Sequence, residues 1–146
     1  MSVDLVQIVK DIIKSNKYLT LGTADDKPWV APLYYAVDND NNFYFISQLD
    51  SLHTKHVLKN PTVAFAIFDS HQPEGTGIGV QGSGSVVMLK DNEIKEAFTW
   101  YKTTFIEMKP EFFTGDAPYR FFRLVPDHFW VVDPEVKTDK RVEVQF

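Results

Sequence analysis

Between Ser47 and Pro61 the chain reads SQLDSLHTKHVLKNP, with Ser51, His53 and Lys55 at alternate positions just after Asp50. Asp and Ser are favoured N-cap residues, and Asn60-Pro61 supplies a stop because proline disfavours α geometry in the residue before it. The segment therefore predicts a short helix starting at Ser51. The first turn of a helix carries backbone N–H groups with no intrahelical partner, at the positive end of the dipole. A hydroxyl, an imidazole and an ammonium gathered there have the donor chemistry to hold a phosphate. The plainer reading makes Ser51 and Asp50 caps and Lys55 a solvated lysine with Lys59 four residues on. His53 and His56 stand three apart without a third ligand in view, so a zinc site is not expected. Gly75-x-Gly77-x-Gly79 precedes a strand rather than opening a helix, so it is no dinucleotide fingerprint. No Ser-His-Asp or Cys-His set can be argued, and no catalytic acid or base can be named.

Positioning that turn requires a sheet on either side of it. Residues 3–15 carry Leu5, Ile8, Val9, Ile12 and Ile13 on one stripe and predict an amphipathic helix. Strands are expected at Tyr18–Thr23 and at Trp29–Val37, joined by a turn at Asp25-Asp26-Lys27-Pro28. Pro32 cannot donate to a ladder, which assigns the second strand to an edge or a bulge. The Asp38–Asn42 run is a hairpin turn into a strand ending at Ser47, and a strand over Thr62–Asp69 follows the central helix. After a polar loop, Ile78–Leu89 reads as a long strand whose Gly79, Gly82 and Gly84 imply a bend or a close approach. Asp91–Phe105 predicts a second long helix, with Ile94, Ala97, Phe98, Tyr101 and Phe105 on one face. Tyr119–Val125 and Phe129–Val132 predict two strands separated by Pro126-Asp127-His128, and Val142–Phe146 a last one. Trp29, Trp100 and Trp130 are expected in the core or at an interface.

The 146 residues suffice for one domain with a real core, and no repeat or linker divides them, so residues 1–146 are read as a single domain. Hairpin-like succession with few helices predicts a mainly β, small antiparallel barrel. Aromatic residues reach 14%, which suits a β-rich core, an interface or a pocket for a flat ligand. The formal charge of −5 argues against a nucleic-acid partner. There is no cysteine, hence no disulfide or thiol chemistry. No apolar run reads as a signal peptide or membrane span, and a cytoplasmic setting is expected.

The ordered set LTLGT, Ala31-Pro32-Leu33, FYFIS, SLHTKHVLKNPTVAFAIFD, VQGSGSVVM and FRLVPDHFWVVD resembles the FMN-binding split-barrel family related to pyridoxamine 5′-phosphate oxidase, in its general-stress-protein-like branch. The resemblance covers roughly residues 18–132. It implies a Greek-key antiparallel split barrel, and a homodimer with flavin at the subunit interface. It places Pro32, Leu33 and Tyr34 along the flavin ring and Ile46 and Ser47 beside the ring and ribityl chain. Ser51, His53 and Lys55 match the phosphate segment. Trp130 matches an aromatic that reaches the flavin from the partner subunit. Arg141 matches a C-terminal arginine only with a shift of one residue.

The departures bear on function. The oxidase pattern has arginine and lysine where Ala31 and Ala36 stand, and an Arg-Lys pair where Leu52-His53 stands. Its Arg-Leu-His-Asp-Arg substrate motif is missing from the C-terminal EVKTDKRVEVQF. The resemblance therefore implies FMN as cofactor and a flavin-dependent oxidoreductase of unknown small-molecule substrate, with NAD(P)H, a quinone, or a nitro or imine compound as reaction partner. Pyridoxamine-phosphate oxidation is not expected. The rival readings are a flavin- or haem-binding storage barrel without turnover, and an empty structural dimer.

Overall fold

The structure, a computed structural model, describes residues 4–146. Helix α1 (Leu5–Ser15) is capped by Asp4, whose carboxylate accepts from the Gln7 N–H at 3.1 Å. It buries Val9 and Ile13 of the predicted stripe; residue 3 of the expected helix lies outside the described residues. Strands β1 (Tyr18–Ala24) and β2 (Pro28–Tyr34) form a hairpin. β3 (Ala36–Val37) and β4 (Phe43–Gln48) form the next, around the Asp38 turn. Helix α2 (Leu52–Lys59) then leads to β5 (Thr62–Ile67) and β6 (Val80–Met88). Helix α3 (Asn92–Trp100), a 3₁₀ turn at Pro110–Phe113, β7 (Tyr119–Val132) and β8 (Arg141–Val144) complete the chain.

The strands form one antiparallel sheet in the order β2-β1-β5-β6-β7-β4-β3, with β8 added to β7. Its two edges, β2 and β3, are consecutive in sequence and separated only by Tyr35. A chain that steps from one edge to the other in a single residue obliges the sheet to curl on itself, which makes it a split barrel. The corner is pinned: the Tyr35 hydroxyl donates to the Ile13 carbonyl at 2.6 Å, and its N–H to the Lys17 carbonyl at 3.0 Å. Thus the single strand expected over Trp29–Val37 is two, broken at Tyr35. Pro32 does lie on an edge strand, as its missing donor requires.

The concave side holds the main core, with Leu19, Leu21, Phe43, Phe45, Phe65, Phe122 and Leu124 all nearly or fully buried. A second cluster lies on the other side of β4 and β7, where Ile94, Ala97 and Tyr101 pack against Tyr44, Phe113 and Phe121. Two expectations need correction here. The helix predicted to Phe105 ends at Trp100, and Phe105 is 96% exposed. The two strands predicted around Pro126-Asp127-His128 are one, β7. Pairing steps from Ser83↔His128 to Gly84↔Pro126, so a bulge absorbs Asp127 and lets the strand run through the proline. Gly84 sits at that bulge, where a Cβ would overlap the Val125 carbonyl oxygen. Trp29 and Trp100 are not core residues; they are 47% and 36% exposed.

Candidate functional site

β4 and α2 together build the phosphate-like turn. Ser47 is the next-to-last residue of a strand whose Phe43 and Phe45 anchor the core, and it is itself buried. His53 Nε2 lies 2.7 Å from Ser47 Oγ and 3.4 Å from Ser51 Oγ. Ser51 stands at the N-cap position, but its hydroxyl donates to the Gln48 carbonyl at 2.8 Å and lies within hydrogen-bond distance of Thr54 Oγ1, at 2.7 Å. It makes no side-chain cap bond, contrary to the capping role expected of it. The first-turn N–H groups of α2 are therefore not consumed by Ser51, and they remain available to an anion.

His53 is half-buried, and burial, with the nearby His56 adding to it, holds its pKa below the ordinary histidine value. His56 is buried against β1, its Nδ1 2.9 Å from Thr23 Oγ1. That contact fixes the face of α2 turned to the sheet, which leaves Lys55 exposed on another face of the same helix.

A cleft of about 550 Å³ opens on the other side of β4. Its walls are Tyr18, Tyr34, Tyr101 and Tyr119 around Ile46, and residues 102–106 form its rim. Tyr34 meets Tyr18 and Tyr101 edge-to-face at 5.6 and 5.4 Å between centroids. Burial, then the neighbouring Tyr34 and Tyr18, push the Tyr101 phenol up to about 12, so it stays protonated. The Tyr119 hydroxyl accepts from Gln48 Nε2 at 3.1 Å, which ties the cleft wall to the strand end that feeds α2. Thus Ile46 faces the cleft while the adjacent Ser47 faces the α2 turn, the alternation of a β-strand serving two sides.

Of the nine residues singled out from the sequence, Ser47, Ser51 and His53 form one hydrogen-bonded group with Lys55 on the same helix. Tyr34 and Ile46 line the cleft beside it. Pro32 is exposed on β2, whereas the Leu33 side chain is buried in the main core. Trp130 is not brought to this place. Ser47 pairs with Arg120, and Trp130 lies further along the same strand by roughly 30 Å of extended chain at about 3.3 Å per residue. It stacks instead on His128, 5.5 Å away, beside Glu143 of β8. Arg141 pairs with Val132 at that same far end. Tyr18, Tyr101, Tyr119 and the rim were not foreseen as site residues; their traces in the sequence were the high aromatic fraction and, for Tyr101 and Phe105, the apolar face of the helix expected there.

The family described as pyridoxamine 5′-phosphate oxidase matches residues 5–133. The chain belongs to this family. No protein of curated function matches it in sequence. Among solved structures it is similar to General Stress Protein 26 from Bacillus anthracis, with 19% identity and a TM-score of 0.66 over 97% of this chain and 100% of that one. An FAD-binding protein from Mesorhizobium loti gives 19% identity and a TM-score of 0.62 over 99% and 98% of the two chains. A heme binding protein from Mycobacterium smegmatis gives 13% identity and a TM-score of 0.77; this chain is covered to 99% and spans 59% of that protein. At these identities the likeness is one of fold. The same fold thus serves proteins described as binding different ligands. Among the described residues no helix is long and apolar enough to cross a membrane.

Proposed function

We propose that the chain binds FMN between two copies of itself and acts as a flavin-dependent oxidoreductase on a small molecule other than pyridoxamine phosphate. One observation carries this reading: an anion seat at the start of α2, built by Ser47, Ser51 and His53, adjoins a cleft lined by aromatic rings. A phosphorylated, flat-ringed ligand has those two requirements. The donor set fits FMN, with first-turn N–H groups, two hydroxyls, one imidazole and the Lys55 ammonium for the phosphate, and Tyr34 and Ile46 for the ring. When bound, the flavin supplies the redox chemistry; the protein's part is to seat and orient it and to leave one ring face open.

Two features support a homodimer. The outward positions of β1, β5 and β6 include Gly22, Ala64, Ala66 and Ser85, small residues that allow a second sheet to approach closely. Trp130, assigned to the flavin by resemblance, is too far along β7 to serve its own chain's seat and would serve the partner's. The alternative, a haem-binding or flavin-storage barrel, draws on the neighbour described as a heme binding protein.

The test is an absorbance spectrum of the purified protein followed by titration with FMN and riboflavin. Flavin bands and saturable FMN binding are expected, whereas a Soret band would establish the haem reading instead. Charge-assisted hydrogen bonds to phosphate contribute about 1.5–3 kcal/mol each. Lys55→Ala is therefore expected to weaken FMN roughly tenfold and to leave riboflavin, which lacks the phosphate, nearly unchanged. Equal losses for both ligands, or none, would remove α2 as the phosphate seat.

A further inference from the structure

The cleft has a charge pattern unlike the rest of the molecule. The protein carries a formal charge of −5, yet no carboxylate lines this cleft among the described residues. Its one charged wall group is the Lys102 ammonium. The remaining polar groups are four phenols and the hydroxyls of Thr103 and Thr104, and the Tyr101 phenol is held in its donating form by burial. Among the described residues Lys102 has no acceptor, and the phenols can all donate. Such a wall complements a ligand rich in oxygen acceptors and bearing negative charge.

The apolar part of the cleft sets the ligand's shape. Phe105 projects from the rim with 96% of its surface exposed, an extreme value for a phenyl ring. Its backbone N–H donates to Thr103 Oγ1 at 3.2 Å, which orders the rim immediately around it. The same cleft is lined by Tyr18 and Tyr34, 61% and 38% exposed, and by Ile46 on β4, the strand that leads to α2. Exposed aromatic rings gathered at one cleft suit a flat ring packed against them. A volume of about 550 Å³ is that of a small-molecule site, not of a protein groove.

We propose that this cleft is the substrate pocket and takes a planar aromatic oxyanion, with Lys102 selecting its charge and Phe105 stacking on its ring. Calling the ligand a substrate rests on the flavin reading, because Tyr34 and Ile46 are shared between the flavin's ring and the cleft. The ligand class itself rests only on the cleft.

The probes are 1-naphthoate and 1-naphthylmethylammonium, which are alike in ring and opposite in charge. Binding is measured calorimetrically to the full chain without flavin and again after FMN loading. Naphthoate is expected to bind the flavin-free protein more tightly than the ammonium probe. Lys102 is exposed, so its share of that preference is about three- to fivefold, and Lys102→Ala is expected to lose it. Phe105→Ala is expected to weaken both probes about tenfold. Because Phe105 and Lys102 are exposed, neither substitution threatens the fold, and an unchanged thermal midpoint verifies this. Equal binding of the two probes, or a charge preference untouched by Lys102→Ala, overturns the proposal. Intact naphthoate preference in a protein that takes up no FMN would overturn the flavin reading and leave the ligand class standing. Loss of naphthoate preference in a protein that binds FMN would do the reverse.

Discussion

At the scale of single residues, His53 ties the anion seat to pH. Burial and His56 lower its pKa, so the free protein holds it less protonated than an ordinary histidine at the same pH. A dianionic phosphate acts in the opposite direction and favours the imidazolium. FMN binding is therefore expected to take up a proton at His53, and affinity to fall as pH rises through about 6 to 8. His53→Gln is expected to flatten that dependence in a fluorescence titration; a wild-type affinity independent of pH would show that His53 stays neutral in the complex. The same shift has a consequence for folding. Below the ordinary value of about 6.5 the unfolded chain binds a proton that the folded chain resists, so stability falls as pH drops through the window beneath it. His53→Gln is expected to remove that part of the acid sensitivity in denaturant titrations.

At the scale of elements, β7 carries the most consequence, because it pairs with β4, β6 and β8 and spans both ends of the sheet. Its bulge depends on Gly84, whose missing side chain admits the Val125 carbonyl. The obstacle to a Cβ there is backbone rather than a flexible side chain, so Gly84→Ala is expected to cost about 1–3 kcal/mol of stability, while Gly75→Ala removes no such space and tests only the positive φ of 81°. Urea unfolding of Gly84→Ala measures the difference, and an unchanged midpoint would mean the bulge can slip. β8 is fastened at its edge by the pair of His128 on β7 and Glu143 on β8. Glu143, through its hydrogen bond, raises the His128 pKa, so the ion pair supports the strand at low pH and is lost as pH rises through that raised value. Faster amide exchange in residues 141–144 is expected above that pH, and Glu143→Gln is expected to abolish the pH dependence.

At the scale of the whole molecule, the β4–α2 turn lies beside Arg120, near the start of β7, while Trp130 lies near the other end of that strand. A flavin site that uses both is complete only in an assembly of two chains related by symmetry. Light scattering across a dilution series is expected to give about twice 16.8 kDa. A stable monomer that still binds FMN would remove Trp130 from the site while leaving Ser47, Ser51, His53 and Lys55 in it. The curl of the sheet matters for the same reason. Tyr35 turns the chain from β2 to β3 and thereby brings Tyr34 of one edge and Ile46, beside the other edge, to a common cleft.

The sequence by itself determined the order of elements, the position of α2 between Ser51 and Asn60, the restriction of Pro32 to an edge or a bulge, and the family. Each of these is written in local chemistry: caps, a proline, a period of two, a recurrent order of short motifs. The ends of α3 and the continuity of β7 were not legible, because tertiary pairing overrode local signals there. The apolar spacing that carried the predicted helix to Phe105 runs past the point where packing ends, and Pro126 is tolerated because a bulge in the β6–β7 ladder accommodates it. The hydrogen bond between Ser47 and His53 depends on how α2 folds back on the end of β4, and the meeting of Tyr18, Tyr34, Tyr101 and Tyr119 joins residues distant in the chain. Only the closure of the sheet decides which of them meet.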